Sequence, residues 1–318
     1  MPPFPTTPLT RLTTPSNSPI HALTFSSGSG QYLLTGSSDR SIRLYNPNTS
    51  RIIQTYSAHG YEVLDLAVSR DNARFVSVGG DKTVFLWDVE SGVSVRRFTG
   101  HTGRVEGCAF GGEGGEGSGE SVVVTGGRDG TVRVWDVRAK GKEVMVLREA
   151  GDAVSSVVVG DGIILAGSVD GRVRCYDLAA GKAEVDCLGA SVVSLSLGGD
   201  GESYLAGTLG GKLRLMDRRS GGCLQTFRDD DFKNEEYRVR STLAQVDGVA
   251  VCGGEDGRVV VWDVLSGEVR ERLWHTEKGE RGDGGKRGVV SAVAWNGVRE
   301  QWASAGGDGT VVVWGAGE

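Results

Sequence analysis

The sequence alternates apolar and polar residues over short runs, and glycine-rich turns separate these runs. In TVFLW, Val84 and Leu86 fall on one side of an extended segment, whereas Thr83 and Phe85 fall on the other. A period of two is typical of β-strands. Comparable runs recur along the chain, such as YLLTGS, SVVVTGG and VVSLSL. The pattern predicts an all-β fold built from many short strands.

These strand-like runs repeat as a unit. Seven segments end in an aromatic or apolar residue, usually followed by Asp, and these residues are Tyr45, Trp87, Trp135, Tyr176, Met216, Trp262 and Trp314. The intervals between them are 40 to 52 residues, close to the length of a four-stranded propeller blade. Six positions earlier, each segment has a turn residue, namely Asp39, Asp81, Asp129, Asp170, Gly210, Asp256 and Asp308.

This repeat resembles the WD-repeat β-propeller family over nearly the whole chain. The resemblance implies one propeller over residues 1–318, with seven four-stranded blades in a ring. Stacking between neighbours lets each blade bury both of its faces. Only four residues follow Trp314, so the last blade lacks its outer strand. We expect the N-terminal run LTRLTT, residues 9–14, to supply that strand and close the ring.

Composition narrows the function classes. The 51 glycines and 7 prolines fit many tight turns, and the net charge of −6 argues against direct, sequence-specific nucleic-acid binding. No apolar run is long enough to span a membrane, and the N-terminal residues lack the basic and apolar regions expected of a secretory signal. The five cysteines are widely spaced without a CxxC motif, which favours reduced thiols. We therefore expect a cytoplasmic and nuclear protein without a metal or cofactor.

The family resemblance implies hydrogen-bonded tetrads of His, Ser or Thr, Asp and Trp. The sets are His59, Ser77, Asp81 and Trp87 in blade two, His101, Thr125, Asp129 and Trp135 in blade three, and His275, Ser304, Asp308 and Trp314 in blade seven. A long insertion separates His275 from its strand. Because the arrangement recurs, a structural role is favoured over catalysis. His21 lies within a strand and fits no tetrad.

Three insertions interrupt the repeat, at residues 111–120, 229–236 and 276–288. The first carries three glutamates and no phosphate-loop motif, so it is interpreted as a flexible surface loop opposite the tetrad turns. The other two join blades on the side of the tetrad turns. They are either solvated charged loops or partner contacts.

Some residues go beyond the generic repeat. The stretch HGYEVLD, from His59 to Asp65, and the later VSSVVVGDGIILAGSVDGRVRCYD and NEEYRVRSTL resemble the mitogen-activated protein kinase organizer family. Tyr61 and Glu62 are not required by the propeller, because blade three has Gly103 and Arg104 there. The resemblance implies an intracellular scaffold for kinase-cascade members, with relatives that also accompany the spliceosome in pre-mRNA splicing.

We therefore expect a non-enzymatic interaction platform that is monomeric within larger complexes. Its predicted protein contacts on the side of the tetrad turns are Tyr61, Glu62, Lys82, Arg104, Arg128, Arg172 and Glu255. An enzyme would need convergent acids or histidines along the channel, and the first strands offer only Asp65 and Glu106. The alternative is a substrate receptor of a cullin-RING ubiquitin ligase, because Trp135 to Arg138 form a W-D-x-R string similar to one in such receptors.

Overall fold

The elements of regular structure in the part of the chain that the structure describes are β-strands. The computed structural model of the protein describes residues 3–112, 120–139, 142–160, 162–276 and 288–317. These residues form twenty-eight strands in seven antiparallel sheets of four. The prediction of an all-β, seven-bladed propeller is thus confirmed. A search of the same residues for a helix long and apolar enough to cross a bilayer finds none.

Six blades use four strands that are consecutive in the chain, and the seventh combines both ends of it. Blade one contains β2 (Ile20–Phe25), β3 (Leu33–Ser37), β4 (Ser41–Asn46) and β5 (Arg51–Ser57). Blade two contains β6 (Val63–Val68), β7 (Arg74–Gly79), β8 (Thr83–Asp88) and β9 (Ser94–Thr99). Blade three contains β10 (Val105–Gly111), β11 (Val122–Gly127), β12 (Val132–Asp136) and β13 (Met145–Leu147). Blade four contains β14 (Val154–Gly160), β15 (Ile163–Ser168), β16 (Arg172–Asp177) and β17 (Lys182–Cys187).

The remaining blades follow the same order. Blade five contains β18 (Val192–Leu197), β19 (Ser203–Thr208), β20 (Lys212–Asp217) and β21 (Cys223–Phe227). Blade six contains β22 (Ser241–Ala244), β23 (Val249–Gly253), β24 (Arg258–Asp263) and β25 (Val269–Trp274). Blade seven contains β26 (Val290–Asn296), β27 (Gln301–Gly306), β28 (Thr310–Gly315) and β1 (Thr7–Thr13).

Neighbouring blades pack closely around the channel. The first strands contact each other in the order β2, β6, β10, β14, β18, β22 and β26, and β26 returns to β2. Glycines in the second strands allow this approach. A Cβ atom on Gly36 would lie 2.7 Å from Val63 of the next blade, and one on Gly126 would lie 2.5 Å from Val154. A larger residue at either position would push adjacent blades apart.

The N-terminal strand closes the ring, as predicted. β1 pairs antiparallel with β28 and places Leu12 opposite Val311. The strand spans Thr7–Thr13, slightly earlier than the predicted residues 9–14. Arg11 Nη2 donates a hydrogen bond to the His275 carbonyl oxygen at 3.0 Å. Upstream of β1, the Pro5 carbonyl accepts a hydrogen bond from Trp302 Nε1 at 2.7 Å. Closure therefore combines strand pairing with side-chain anchors.

A chain of hydrogen bonds holds the turn of blade two. Trp87 Nε1 donates to Ser77 Oγ at 2.8 Å, Ser77 Oγ lies 2.8 Å from His59 Nε2, and His59 Nδ1 lies 2.9 Å from Asp81 Oδ2. The Asp81 carboxylate only accepts, so His59 donates from Nδ1 and its Nε2 accepts from the Ser77 hydroxyl. Gly60 N–H also donates to Asp81, at 3.0 Å. Every buried polar group of this relay has a partner, which is the condition for burying it.

Blade three contains the same relay. Trp135 Nε1 donates to Thr125 Oγ1 at 2.9 Å, and His101 Nε2 lies 2.9 Å from that hydroxyl. His101 Nδ1 lies 3.0 Å from Asp129 Oδ2, which also accepts from Thr102 N–H at 2.9 Å. The four residues that the resemblance implied for each of blades two and three are thus in mutual contact.

Blade seven extends the relay by one hydroxyl. Trp314 Nε1 donates to Ser304 Oγ at 2.9 Å, and His275 contacts that hydroxyl through Nδ1 at 2.8 Å. His275 Nε2 lies 2.9 Å from Thr310 Oγ1, which donates to Asp308 at 2.8 Å. The imidazole is therefore turned around relative to the other two blades, and its Nε2 lies 3.6 Å from Asp308 Oδ1.

Three blades without this histidine satisfy the turn carboxylate with arginine. The pairs are Asp39 with Arg43 at 2.6 Å, Asp170 with Arg174 at 2.7 Å, and Asp256 with Arg258 at 2.6 Å. Blade five has Gly210 in place of the aspartate. There the equivalent arginine, Arg214, donates to the Leu188 carbonyl instead. Arg43 and Arg174 each donate two hydrogen bonds to one carboxylate, whereas Arg258 donates to Asp256 through Nε and places Nη1 against Asp231.

Leu12 tests ring closure. Leu12 is 3% exposed, so Leu12→Ala removes buried methyl groups from the β1–β28 contact and should lower the free energy of unfolding by about 2–5 kcal/mol. Leu9 lies on the same strand but is 46% exposed, so Leu9→Ala should cost less than about 0.5 kcal/mol. Urea unfolding measures both changes, and equal effects would contradict closure through β1.

Asp81→Asn tests the blade-two relay. Burial opposes ionisation of Asp81, yet hydrogen bonds from His59 and the Gly60 and Thr83 amides hold its pKa below the usual value. At pH 7 the free energy of unfolding of the variant should be about 1.5–3 kcal/mol lower than that of wild type, as expected for hydrogen bonds to a charged acceptor. A depressed pKa adds stability above the unfolded-state pKa of about 3.9, and this stability disappears as pH falls through the folded-state pKa.

The difference between wild type and Asp81→Asn should therefore shrink below about pH 4. Urea unfolding over a pH series measures it. Glu90→Gln, which removes an exposed negative charge from the same blade, is the matched control. A difference for Asp81→Asn that stays constant down to about pH 3 would argue against a charged relay.

Candidate functional site

The turns between second and third strands, together with the links between blades, form one face of the ring. This tetrad-turn face carries the turn residues Asp39, Asp81, Asp129, Asp170, Gly210, Asp256 and Asp308. Six of the seven turns are fixed by the histidine or arginine contacts described above. Side chains beside these turns are therefore held on a rigid frame.

Four of the predicted contact residues are exposed on this face. Tyr61 is 66% exposed, and its Cβ lies only 3.0 Å from where a Cβ on Gly80 would be. Gly80 thus lets the Tyr61 side chain lie against the turn that carries Lys82. Lys82, Arg128 and Arg172 are also exposed, and their side chains form no ion pair within the described residues. These four side chains are free for a partner.

Two further predicted contacts, Glu62 and Arg104, bind each other. Arg104 Nη1 lies 3.2 Å from Glu62 Oε1, and Arg104 Nε lies 2.8 Å from Glu106 Oε1. His21 approaches Glu62 to 3.9 Å. Burial lowers the pKa of His21 despite this neighbour. The arrangement is a partly exposed charge network at the mouth of the channel.

Glu255, the seventh predicted contact, has an internal role. Its Oε1 accepts hydrogen bonds from the backbone N–H groups of Glu235, Glu236 and Tyr237 at 2.7–2.8 Å. The carboxylate thereby fixes the chain as it enters blade six. Sequence pattern gave no indication of this contact, because the donors are backbone groups of a distant turn.

The channel contains two arginines that the sequence interpretation did not single out. Arg240 reaches across from blade six to blade two, where Nη2 lies 2.7 Å from Asp65 Oδ1 and 3.0 Å from the Leu64 carbonyl oxygen. Asp65 Oδ2 also accepts from Cys108 N–H at 3.0 Å. Asp65, which the sequence left without a role, thus links blades two, three and six.

Arg238 forms the second crossing, from blade six to blade three. Its Nη1 donates to the Glu106 carbonyl oxygen and lies 3.5 Å from Glu106 Oε2. The pKa of Arg238 is lowered to about 10, mainly because the guanidinium is buried and secondly because the positive charge of Arg240 is nearby. The signal in the sequence was YRVRS, where two arginines at a spacing of two face the same side of the chain.

The two crossings divide the channel. A cavity of about 490 Å³ opens on the tetrad-turn face, and one of about 560 Å³ opens on the opposite face. Arg238 and Arg240 line both cavities. The only acids of the first strands, Asp65 and Glu106, are paired with arginine. Where the structure describes the chain, no group of three His, Cys, Asp or Glu side chains is arranged to hold a metal.

The insertions differ in what the structure describes. Residues 113–119 and 277–287, most of the insertions predicted at 111–120 and 276–288, lie outside the described residues. The segment 229–236 is an anchored link rather than a fully solvated loop. Phe232 is buried, with its ring edge-on to Trp262 at 5.2 Å, and Asp229 pairs with Arg272 at 2.8 Å.

Comparison with known proteins finds similarity to WD repeat domain-containing protein 83 and to Autophagy-related protein 16. Human WD repeat domain-containing protein 83 is 42% identical over 124 residues, which cover 39% of each chain. Its homolog in Dictyostelium discoideum is 24% identical over 286 residues, covering 80% of this chain and 82% of that one. Autophagy-related protein 16 of Arabidopsis thaliana is 26% identical over 254 residues, covering 79% of this chain and 47% of that protein.

A family profile matches the repeats directly. The profile of the WD domain, G-beta repeat, matches residues 6–46, 50–88, 92–136 and 281–315, together just over half of the chain. The matched segments end with the third strands of blades one, two, three and seven. With seven sheets in a closed ring and tetrads in blades two, three and seven, the chain belongs to the WD-repeat family of β-propellers.

Proposed function

We propose that the protein is a non-enzymatic scaffold that binds partner proteins on its tetrad-turn face. The observation that carries this proposal is the exposed aromatic ring of Tyr61, which lies beside the rigid turn that carries the exposed Lys82. Tyrosine and arginine are favoured in the energetically important parts of interfaces. The WD-repeat fold supports the proposal, since propellers of this family generally act as interaction scaffolds.

The finer proposal concerns which proteins are assembled. The resemblance of the stretch from His59 to Asp65 to the mitogen-activated protein kinase organizer family supports members of a kinase cascade. Spliceosomal proteins are the second group. We propose the cytoplasm for binding to the kinases and the nucleus for binding to the spliceosomal proteins. The similarity to WD repeat domain-containing protein 83 supports the scaffold function and does not choose between these partners. Affinity purification with and without nuclease separates the two. Splicing proteins held only through RNA are lost on digestion, so those that survive it favour the splicing role. Recovery of kinases alone favours the kinase cascade.

Tyr61→Ala tests the tetrad-turn face. Removing an interface tyrosine typically costs about 2 kcal/mol or more of binding, so partner recovery in affinity purification should fall at least several-fold. Folding should be unaffected, because the ring is exposed. Leu265→Ala is the control, since Leu265 is 83% exposed and lies in the turn between β24 and β25 on the opposite face. Equal recovery from both variants would remove Tyr61 from the binding surface.

The alternative function, a substrate receptor of a cullin-RING ubiquitin ligase, also has a specific observation in its favour. The Arg138 side chain is 75% exposed on the opposite face and contacts Asp136 at 3.5 Å. If this function is correct, Arg138→Ala abolishes co-purification of a cullin adaptor. Arg51→Ala, at an exposed arginine on the same face, leaves it unchanged. An adaptor that is absent from wild-type purifications would eliminate the ligase alternative.

A further inference from the structure

One backbone position distinguishes blades one and two from the others. The residue after the turn aspartate, or after Gly210 in blade five, has a positive φ in all seven blades. Five blades place glycine there, at Gly130, Gly171, Gly211, Gly257 and Gly309. Blades one and two instead place Arg40 at φ 69° and Lys82 at φ 61°. Glycine adopts this left-handed conformation without strain, whereas residues with a Cβ do not.

The internal structure gives no reason for these two cations. Both side chains are exposed, and neither forms an ion pair or side-chain hydrogen bond within the described residues. A strained residue whose side chain contributes nothing to the fold is evidence for a role outside it. The long cationic side chains are therefore to be explained by what they contact in a complex.

The same kind of side chain continues along the face. Arg128 in blade three and Arg172 in blade four flank the next two tetrad turns and are likewise exposed and unpaired among the described residues. We call Arg40, Lys82, Arg128 and Arg172 the basic arc. Blades one to four are successive neighbours in the ring, so the four cations form one row.

The acids of these turns are withdrawn from solvent. The Asp81 and Asp129 side chains are 13% and 5% exposed, and each is hydrogen-bonded to its histidine. Two exposed acids lie on the same side, in the link into blade four. Asp152 accepts a hydrogen bond from the Ala153 amide, and Glu149 accepts one from the Tyr176 hydroxyl. Exposed cations therefore outnumber exposed acids over blades one to four.

The other side of the face is net acidic. The link into blade six exposes four acids, Asp230, Asp231, Glu235 and Glu236, against two cations, Arg228 and Lys233. A long polyanion lying across the whole face would be repelled there, and the net charge of −6 adds to that repulsion. A short anionic segment confined to blades one to four avoids it. This distribution favours a peptide over a nucleic acid.

We infer that the basic arc is the docking site for an acidic peptide segment of a partner protein, rich in Asp and Glu, that lies across blades one to four beside Tyr61. The cations stand singly on separate blades, which suits carboxylates distributed along an extended peptide. A single phosphate group would instead require several donors converging on one point. This inference rests on the proposed scaffold function and names the chemistry of one partner.

Fluorescence anisotropy with synthetic peptides tests the inference. The probe is a labelled Gly-Ser peptide of about twelve residues, carrying a glutamate at every third position so that it spans several blades. A glutamine version is the neutral control. The glutamate peptide should bind at low salt and weaken at least tenfold when salt is raised to about 0.5 M, while the glutamine peptide should not bind.

Two double variants locate the site. Arg40→Gly with Lys82→Gly should weaken peptide binding at least tenfold without lowering the thermal midpoint, because glycine fits both backbone positions. Arg128→Gln with Arg172→Gln should weaken it similarly. The matched control is Arg51→Gln with Lys182→Gln, which removes two exposed cations at the starts of β5 and β17 on the opposite face. This control should keep affinity within twofold of wild type.

Three results would overturn the inference. They are an equal loss in the control variant, no binding of the glutamate peptide, and tighter arc-dependent binding of either a singly phosphorylated peptide or an RNA oligonucleotide of equal charge. Affinity purification with all four arc residues replaced separates this from the broader proposal. If wild type and that variant recover the same proteins, the arc inference fails while the scaffold function stands. If wild type recovers none, the scaffold function fails, and the peptide titration still decides the arc.

Discussion

The carboxylate found in six of the seven tetrad turns is the group on which the surface of this propeller depends. Left unpaired in a partly buried turn, it would cost folding free energy, so each turn must bring a donor to it. His59 and His101 donate to the carboxylate and also accept a hydrogen bond from a hydroxyl. That hydroxyl in turn accepts a hydrogen bond from a tryptophan. Arginines such as Arg43 and Arg174 donate to the carboxylate without the tryptophan link. Either solution fixes the backbone that displays the exposed side chains.

A second constraint acts across the ring rather than within a blade. Arg238 and Arg240 leave blade six and end on the far wall, against Glu106 and Asp65. Removing one partner of such a buried pair is more damaging than replacing both, because an uncompensated charge remains. Paired charges therefore cross the channel at its middle, and both acids of the first strands take part in them.

The parts of this structure that could be predicted are those that recur in each repeat of the sequence. The strand pattern, the turn aspartates and the blade-two and blade-three histidines all recur at fixed spacing, and β1 was recognisable because blade seven was one strand short. The Arg240–Asp65 contact was not predictable in this way. Its residues are 175 positions apart, and only closure of the ring brings blade six opposite blade two. The internal contact of Glu255, which was predicted to face a partner, was missed for a related reason, since backbone amides carry no sequence signal.

Rigidity is what makes a face of this kind useful to several partners. Residues such as Lys82 and Arg128 project from turns that are already ordered, so a partner does not have to supply the free energy of fixing a loop. The charge on the face is also divided, with cations over blades one to four and exposed acids such as Glu235 at the entry to blade six. Under the proposed scaffold function, partners of opposite charge would be directed to different sides of the same face, because each would be repelled from the other's side. Neither would require a conformational change in the propeller.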